Sequence, residues 1–289
     1  MKTVTELATG LLGTGALIGG AMIAKKNFVK FFSMTRKPEG KMGELMVRSM
    51  NAGHAKVSDW GLSLLSGGLD SSVCLSLAVK KYGKDEVMGL CVFYGQKHKK
   101  EISAAEKVAA FYGVSLQKLD LLQLFAESDC SLLEGSGKEI AHEDYSEQVK
   151  KAKGQPVDTY VPFRNGLFLS SAAAIALSHG CSEIYYGAHA DDGAGSAYPD
   201  TSIEFNRAIS EAIFLGSGKE LKVVAPFIDK TKADVVAAGA EAGTPFGLTW
   251  SCYEGRDKAC GLCGTCRDRL LAFSLNGIKD PVEYEQESR

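Results

Sequence analysis

The sequence predicts an α/β protein built on a doubly wound parallel sheet. Three observations carry that prediction. From residue 60 onward, short apolar runs alternate with segments of helical spacing. A Ser-Gly-Gly turn falls where the first strand gives way to the first helix. No internal repeat or low-complexity tract breaks the alternation.

The elements follow in order. Trp60 to Leu65 is a short apolar run, read as the first strand. Asp70 to Tyr82 has helical spacing through Val73, Leu75, Leu77 and Ala78. Val87 to Tyr94 is a second β-leaning run, and His98 to Tyr112 an amphipathic helix with Ile102, Ala105, Val108 and Ala109 on one face. Leu116 to Leu119 reads as a third strand. Residues 126–158 are polar and rich in Gly, Lys and Glu, which reads as a long surface loop or insertion. Then come a helix from Gly166 to His179, a strand from Glu183 to Gly187 and a helix from Ile203 to Phe214. A strand from Leu221 to Ala225 and a helix from Thr231 to Ala242 complete the alternation. Right-handed crossovers place such helices on both faces of the sheet.

At 289 residues the chain can bury a core without disulfide staples. Its 45% hydrophobic and 24% charged residues exclude a disordered tail, a collagen-like fibre and a multi-span membrane protein. A net charge of −2 gives no global electrostatic case for nucleic-acid binding.

Composition breaks near Asp59. Residues 1–59 carry a net charge of +5 and the remainder −7, and six of the seven methionines lie in the first 50 residues. We therefore divide the chain into an extension, 1–59, and a main domain, 60–289. Leu7 to Ala24 is uncharged over 18 residues, the lower limit for a membrane span, but five of them are Gly. Composition favours a disordered or loosely helical extension. A membrane anchor through residues 7–24 and an over-long gene model are the alternatives.

Ser66, Gly67, Gly68, Leu69, Asp70, Ser71 and Ser72 form the most informative stretch. Glycines between a strand and a helix let the backbone approach a phosphate, and the helix start supplies free N–H groups. The serine hydroxyls add donors, and Asp70 suits a cap or a magnesium ion. The GxxxxGK[ST] pattern is absent. An ordinary capped strand–turn–helix corner is the bland alternative.

Cys252, Cys260, Cys263 and Cys266 follow a C-x7-C-x2-C-x2-C spacing. That spacing suits tetrahedral Zn²⁺, with an iron–sulfur cluster as the rival. Four protein ligands leave no open position, so such a metal is structural. The other cysteines, Cys74, Cys91, Cys130 and Cys181, lie in apolar stretches and read as small buried hydrophobes.

The Ser66–Ser72 string resembles the PP-loop of the ATP pyrophosphatases, which transfer AMP to an oxygen of their substrate. Further blocks are more specific. Phe93-Tyr94-Gly95-Gln96-Lys97-His98 with Glu101 and Ile102 resembles the FxYGQ-x-H-x-x-E-I signature of the QueC/ExsB family, the 7-cyano-7-deazaguanine synthases. Val161-Pro162-Phe163-Arg164-Asn165 is similar to its VPxRN, and Ala197-Tyr198-Pro199-Asp200 followed by Glu204-Phe205 to its GYPDC…EF. Lys232-Ala233-Asp234 resembles its K-A-E, and Ser251-Cys252-Tyr253 with the three later cysteines its ending. The blocks occur in family order from residue 62 to about 275. Leu69, Phe163, Asp191 and Thr201 depart from common family residues.

The resemblance implies a Rossmann-like sheet of the adenine-nucleotide α-hydrolase (PP-loop) type, with a zinc-binding segment at 251–269. It implies a ligase forming C–N bonds, with ATP, Mg²⁺ and Zn²⁺ as cofactors and queuosine or related deazapurine biosynthesis as its setting. Asp70, Lys232 and Arg164 would be catalytic. Residues 66–72 would hold ATP. Tyr94, Gln96, His98, Arg164, Asn165, His189, Asp192, Tyr198 and Asp200 would line the substrate site, with Asp200 on the guanine-like edge. A cytoplasmic homodimer that binds small molecules and no nucleic acid is expected. The alternatives are a paralogue that stops at an amide or a protein conjugate, and a non-catalytic nucleotide- or tRNA-binding module.

Overall fold

The computed structural model describes residues 59–97, 99–143, 145–193 and 197–285. The division at residue 59 and the reading of residues 7–24 lie outside them. Among the described residues, no helix is long and apolar enough to cross a membrane.

Five parallel strands form one sheet: β1 (Gly61–Leu64), β2 (Val87–Phe93), β3 (Ser115–Asp120), β4 (Glu183–Tyr185) and β5 (Lys222–Val224). Their order is β3-β2-β1-β4-β5, with every neighbouring pair parallel. The chain thus starts in the centre, builds outward to one edge, then returns past β1 to build the other. That reversal leaves a crevice at the carboxyl end of β1, where doubly wound sheets bind ligands.

The helices explain themselves locally. α1 (Leu69–Tyr82) carries Asp70 in its first turn and Lys80 and Lys81 in its last, both favourable to its dipole, and stops at Gly83. α2 (Lys100–Tyr112) ends on Gly113 in the left-handed conformation. After the short α3 (Leu122–Phe125), the expected insertion holds a helix of its own, α4 (Tyr145–Ala152). Its flank is not loose: Cys130, Leu132 and Leu133 are buried with Tyr94 and Val161. α5 (Arg164–His179), the short α6 (Ala190–Gly193) and α7 (Ile203–Gly216) follow. α8 (Lys232–Ala242) opens on a reciprocal capping box between Thr231 and Asp234. α9 (Gly264–Leu275) was not foreseen. Its first turn holds Gly264, Thr265 and Cys266, residues read as metal-site sequence rather than as helix.

The sheet lies between two apolar layers. On one face, α1, α2, α8 and α9 bury Val73, Val108, Val235 and Phe273. On the other, α5 and α7 bury Leu169, Ala172, Ala176 and Ile213 against Leu62, Leu90 and Ile184. β3 is the more exposed edge, with no fully buried residue.

Candidate functional site

The turn after β1 is shaped by Gly67, whose φ is +89°. A Cβ there would lie 2.1 Å from the carbonyl oxygen of Glu101 and 2.5 Å from the amide nitrogen of Ala105. Only glycine lets the turn press against α2. Gly68 caps α1 without a side-chain bond to the first-turn N–H groups. The serines brace the turn. Ser71 Oγ and Ser72 Oγ donate to the carbonyl of Gly68 at 3.1 and 2.7 Å, and Gly68 N–H donates to Ser66 Oγ at 3.2 Å. Ser66, Gly68, Asp70 and Ser71 line the adjoining cleft, whereas Leu69 and Ser72 are buried beneath it.

Facing this turn is a charged cluster. Lys232, first residue of α8, donates from Nζ to Asp70 Oδ2 at 2.6 Å. His189 is buried beside them, its Nε2 lying 3.3 Å from Lys232 Nζ and 3.8 Å from Asp70 Oδ1. Asp191 fixes the helix start by accepting from the backbone N–H of Lys232 at 2.8 Å. Burial would raise the Asp70 carboxyl, but Lys232 and His189 more than offset this and hold it below the ordinary carboxylate value.

A further part of the cleft lining comes from the end of β2 and the start of α5. Phe163 takes a left-handed φ of +55° immediately before α5, a strained conformation for an aromatic residue. Asp200 is 3% exposed and accepts from the backbone N–H of Asn165 at 2.8 Å. It therefore satisfies the helix start from behind, and Asn165 rather than Asp200 reaches the cleft. Arg164 donates from Nη1 to the phenol of Tyr94 at 3.0 Å and lies over the rings of Tyr94 and Phe168. Its buried Nε has no hydrogen-bond partner, and no carboxylate among the described residues forms an ion pair with it. Burial opposes its charge, but Tyr94 and Asp200 more than restore it. A guanidinium in a cleft wall with a partnerless Nε and no direct ion pair among the described residues suits an anion.

The cleft encloses about 220 Å³. Tyr94, Gln96, Arg164, Asn165, His189, Tyr198 and Lys232 all reach it. His98 lies outside the described residues, as does the side chain of Asp192. Sequence reasoning missed Ser251, Thr265 and Asp268, which close the cleft from the cysteine segment. Ser251 is marked only as part of the family-like ending, and nothing in the spacing of Thr265 and Asp268 marks them. Only the packing of α9 against α8 brings Thr265 and Asp268 there.

The four cysteines converge. Cys252, Cys260, Cys263 and Cys266 are buried, with all four sulfurs within 4.8 Å of one another and Cys260 and Cys266 3.9 Å apart. Backbone N–H groups of Glu254 and Cys260 point at Cys252 Sγ, and those of Leu262 and Cys263 at Cys260 Sγ. Such donors stabilise thiolates. Four soft ligands in a closed set fit a tetrahedral Zn²⁺. The segment also reaches the phosphate turn, because Trp250 N–H donates to the carbonyl of Gly67 at 2.9 Å. The remaining cysteines are inert packing: burial raises all four thiols, Cys91 to about 11 and Cys181 to about 12.

A doubly wound parallel sheet with a glycine turn at the carboxyl end of β1 is an α/β architecture that puts a ligand crevice at that turn, whose sequence resembles a PP-loop. The chain belongs to the QueC family: the model for queuosine biosynthesis protein QueC matches residues 61–277. Curated relatives agree. A 7-cyano-7-deazaguanine synthase of Archaeoglobus fulgidus is 44% identical over 225 residues, which is 78% of this chain and 90% of that protein. Those of Caldicellulosiruptor bescii and Pseudoalteromonas atlantica are 40% and 37% identical, covering 78% and 77% of this chain and 96% and 97% of theirs.

Proposed function

We propose that the protein converts 7-carboxy-7-deazaguanine, ammonia and ATP into 7-cyano-7-deazaguanine. The observation that carries this reading is a single cleft lined both by the PP-loop with Lys232 and by Arg164. The PP-loop suits pyrophosphate and Arg164 a carboxylate, so one cleft can hold ATP and a carboxylate substrate together.

A carboxylate oxygen attacks the α-phosphorus and pyrophosphate leaves. Ammonia adds to the acyl carbon, AMP departs with that oxygen, and the lost proton passes to solvent, which gives the amide. A second ATP adenylates the amide oxygen. Loss of AMP and the remaining N–H protons gives the nitrile. In each cycle Ser66, Gly68 and Ser71 hold the phosphates, and Lys232 moves from Asp70 onto the pyrophosphate as negative charge builds there. Asp70, so released, would hold Mg²⁺, which screens the phosphate charge when bound. Arg164 orients the carboxylate, and the aromatic wall of Tyr94 and Phe168 excludes water from the adenylate. The four cysteines would hold Zn²⁺ away from the chemistry, as a staple for the segment that carries Ser251 and Thr265.

The same resemblance carries the expectation of a homodimer, which sedimentation tests. The need for ATP puts the chemistry in the cytoplasm, which fractionation with and without residues 1–50 tests. A second reading, in which the product stops at the amide, is favoured by Thr201, which lines the cleft where the family commonly has Cys. Mass spectrometry of a reaction containing substrate, ammonium, Mg²⁺ and ATP separates these readings. Nitrile with AMP supports the proposal, amide with AMP moves it to the second reading, and no ATP-dependent product from folded protein overturns both.

A further inference from the structure

Gln96 is 3% exposed, yet its side chain reaches the cleft. Its Oε1 accepts from the backbone N–H of Tyr94 at 2.9 Å. That bond settles which end of the amide is which, because a backbone N–H can only donate and so must face oxygen. The Nε2 donors are left facing the cleft, and among the described residues nothing accepts from them. A ligand that displaces water from these donors must offer an acceptor in its place or lose binding energy. The strand after β2 holds the residue rigidly, since Gln96 also bridges antiparallel to Leu133 of the insertion.

Arg164 is tethered to the phenol of the same tyrosine. The two donor groups therefore hang from opposite ends of Tyr94, in one wall of one cleft. The proposed substrate has a matching edge. Its 7-carboxylate stands beside the 6-oxo group of the six-membered ring, so this side of the bicycle presents acceptors only. A 6-amino ring would present a donor there instead.

The geometry points to Gln96 as the specificity residue that reads the 6-oxo group, with Nε2 donating to that oxygen while Arg164 takes the neighbouring carboxylate. The inference rests on the reading under Proposed function. It makes Gln96 a discriminator between 6-oxo and 6-amino 7-deazapurines. A site built to hydrogen-bond one group rejects the analogue that cannot make the bond far more strongly than an apolar pocket does.

Gln96→Glu is the informative substitution. It keeps the length and the acceptor for Tyr94 N–H but turns the cleft-facing donor into an acceptor. Turnover of 7-carboxy-7-deazaguanine and of its 6-amino analogue is measured for both proteins, with KM for ATP in parallel. The expected result is a fall of about 100-fold or more in the 6-oxo over 6-amino ratio of kcat/KM. KM for ATP should stay unchanged, as should the circular dichroism spectrum. Gln96→Met, which has no donor, should lose the preference without gaining the analogue, and it carries the test if the Glu variant does not fold. An unchanged ratio in the variants overturns the inference, and so does a shift in KM for ATP of the same size. Full activity in Gln96→Glu with loss only in Gln96→Met would assign the residue to bracing Tyr94 alone. Wild-type protein without turnover of the 6-oxo substrate overturns the underlying reading instead.

Discussion

Asp70 sits in a contest between burial and charge, and Lys232 decides it. A carboxyl whose folded pKa is lowered stabilises the fold above its unfolded value and loses that contribution as pH falls through the folded one. Stability should therefore fall below about pH 4, and Asp70→Asn should flatten that limb. Urea denaturation between about pH 3 and pH 6 checks it; an unaltered acid limb in the variant contradicts the assignment. The same pair matters for turnover. Lys232→Met keeps most of the length and removes the charge, and should lower kcat/KM by about 100-fold or more with the fold intact. Both residues were legible in the sequence, Asp70 from the turn and Lys232 from its match to the family blocks. Their contact was not, since 162 positions separate them.

α9 and the residues after it show what element-level reading could not reach. Arg269 and Asp280 are 2% and 3% exposed in their side chains, paired at 2.7 and 3.0 Å. Arg269 also donates to Thr249 Oγ1 and Ser251 Oγ, and the phenol of Tyr284 donates to Asp280 at 2.6 Å. This cluster ties α9, the described residues after it and the cysteine segment together. Removing one charge of a buried pair leaves the other uncompensated. Asp280→Asn should therefore lower stability by about 3 kcal/mol, read as a lower urea midpoint with an unchanged m-value. A midpoint within error of wild type would show that the pair is dispensable. No periodicity announces such a pair, because each residue alone reads as an ordinary surface charge. The insertion was misread for a related reason. Its polar composition hid Leu132 and Leu133, which become core only when laid against Tyr94.

At the scale of the whole molecule, the cysteine segment joins the four-cysteine cluster to the turn after β1 through the Trp250 bond to Gly67. Stripping the metal should loosen both. Chelation is expected to lower the Tm by roughly 5 °C or more and to reduce turnover, with both restored by Zn²⁺. Metal analysis should accompany the scan. A metal-free protein with the same Tm would mean that the four thiols need no ion to hold their place.

The sequence by itself determined the alternation of strands and helices, the phosphate turn and the identity of the four converging cysteines. Those features are local: hydrophobic period, glycine tolerance and ligand spacing are written in consecutive residues. The tertiary structure decided which charges meet. It set Asp200 behind Asn165 as the cap of α5, joined Asp70 to Lys232, left Arg164 without a direct ion pair among the described residues, and fixed the amide of Gln96 against Tyr94 N–H. Those outcomes depend on strand order and on which helix returns to which face. A parallel sheet fixes them only once its distant crossovers have closed.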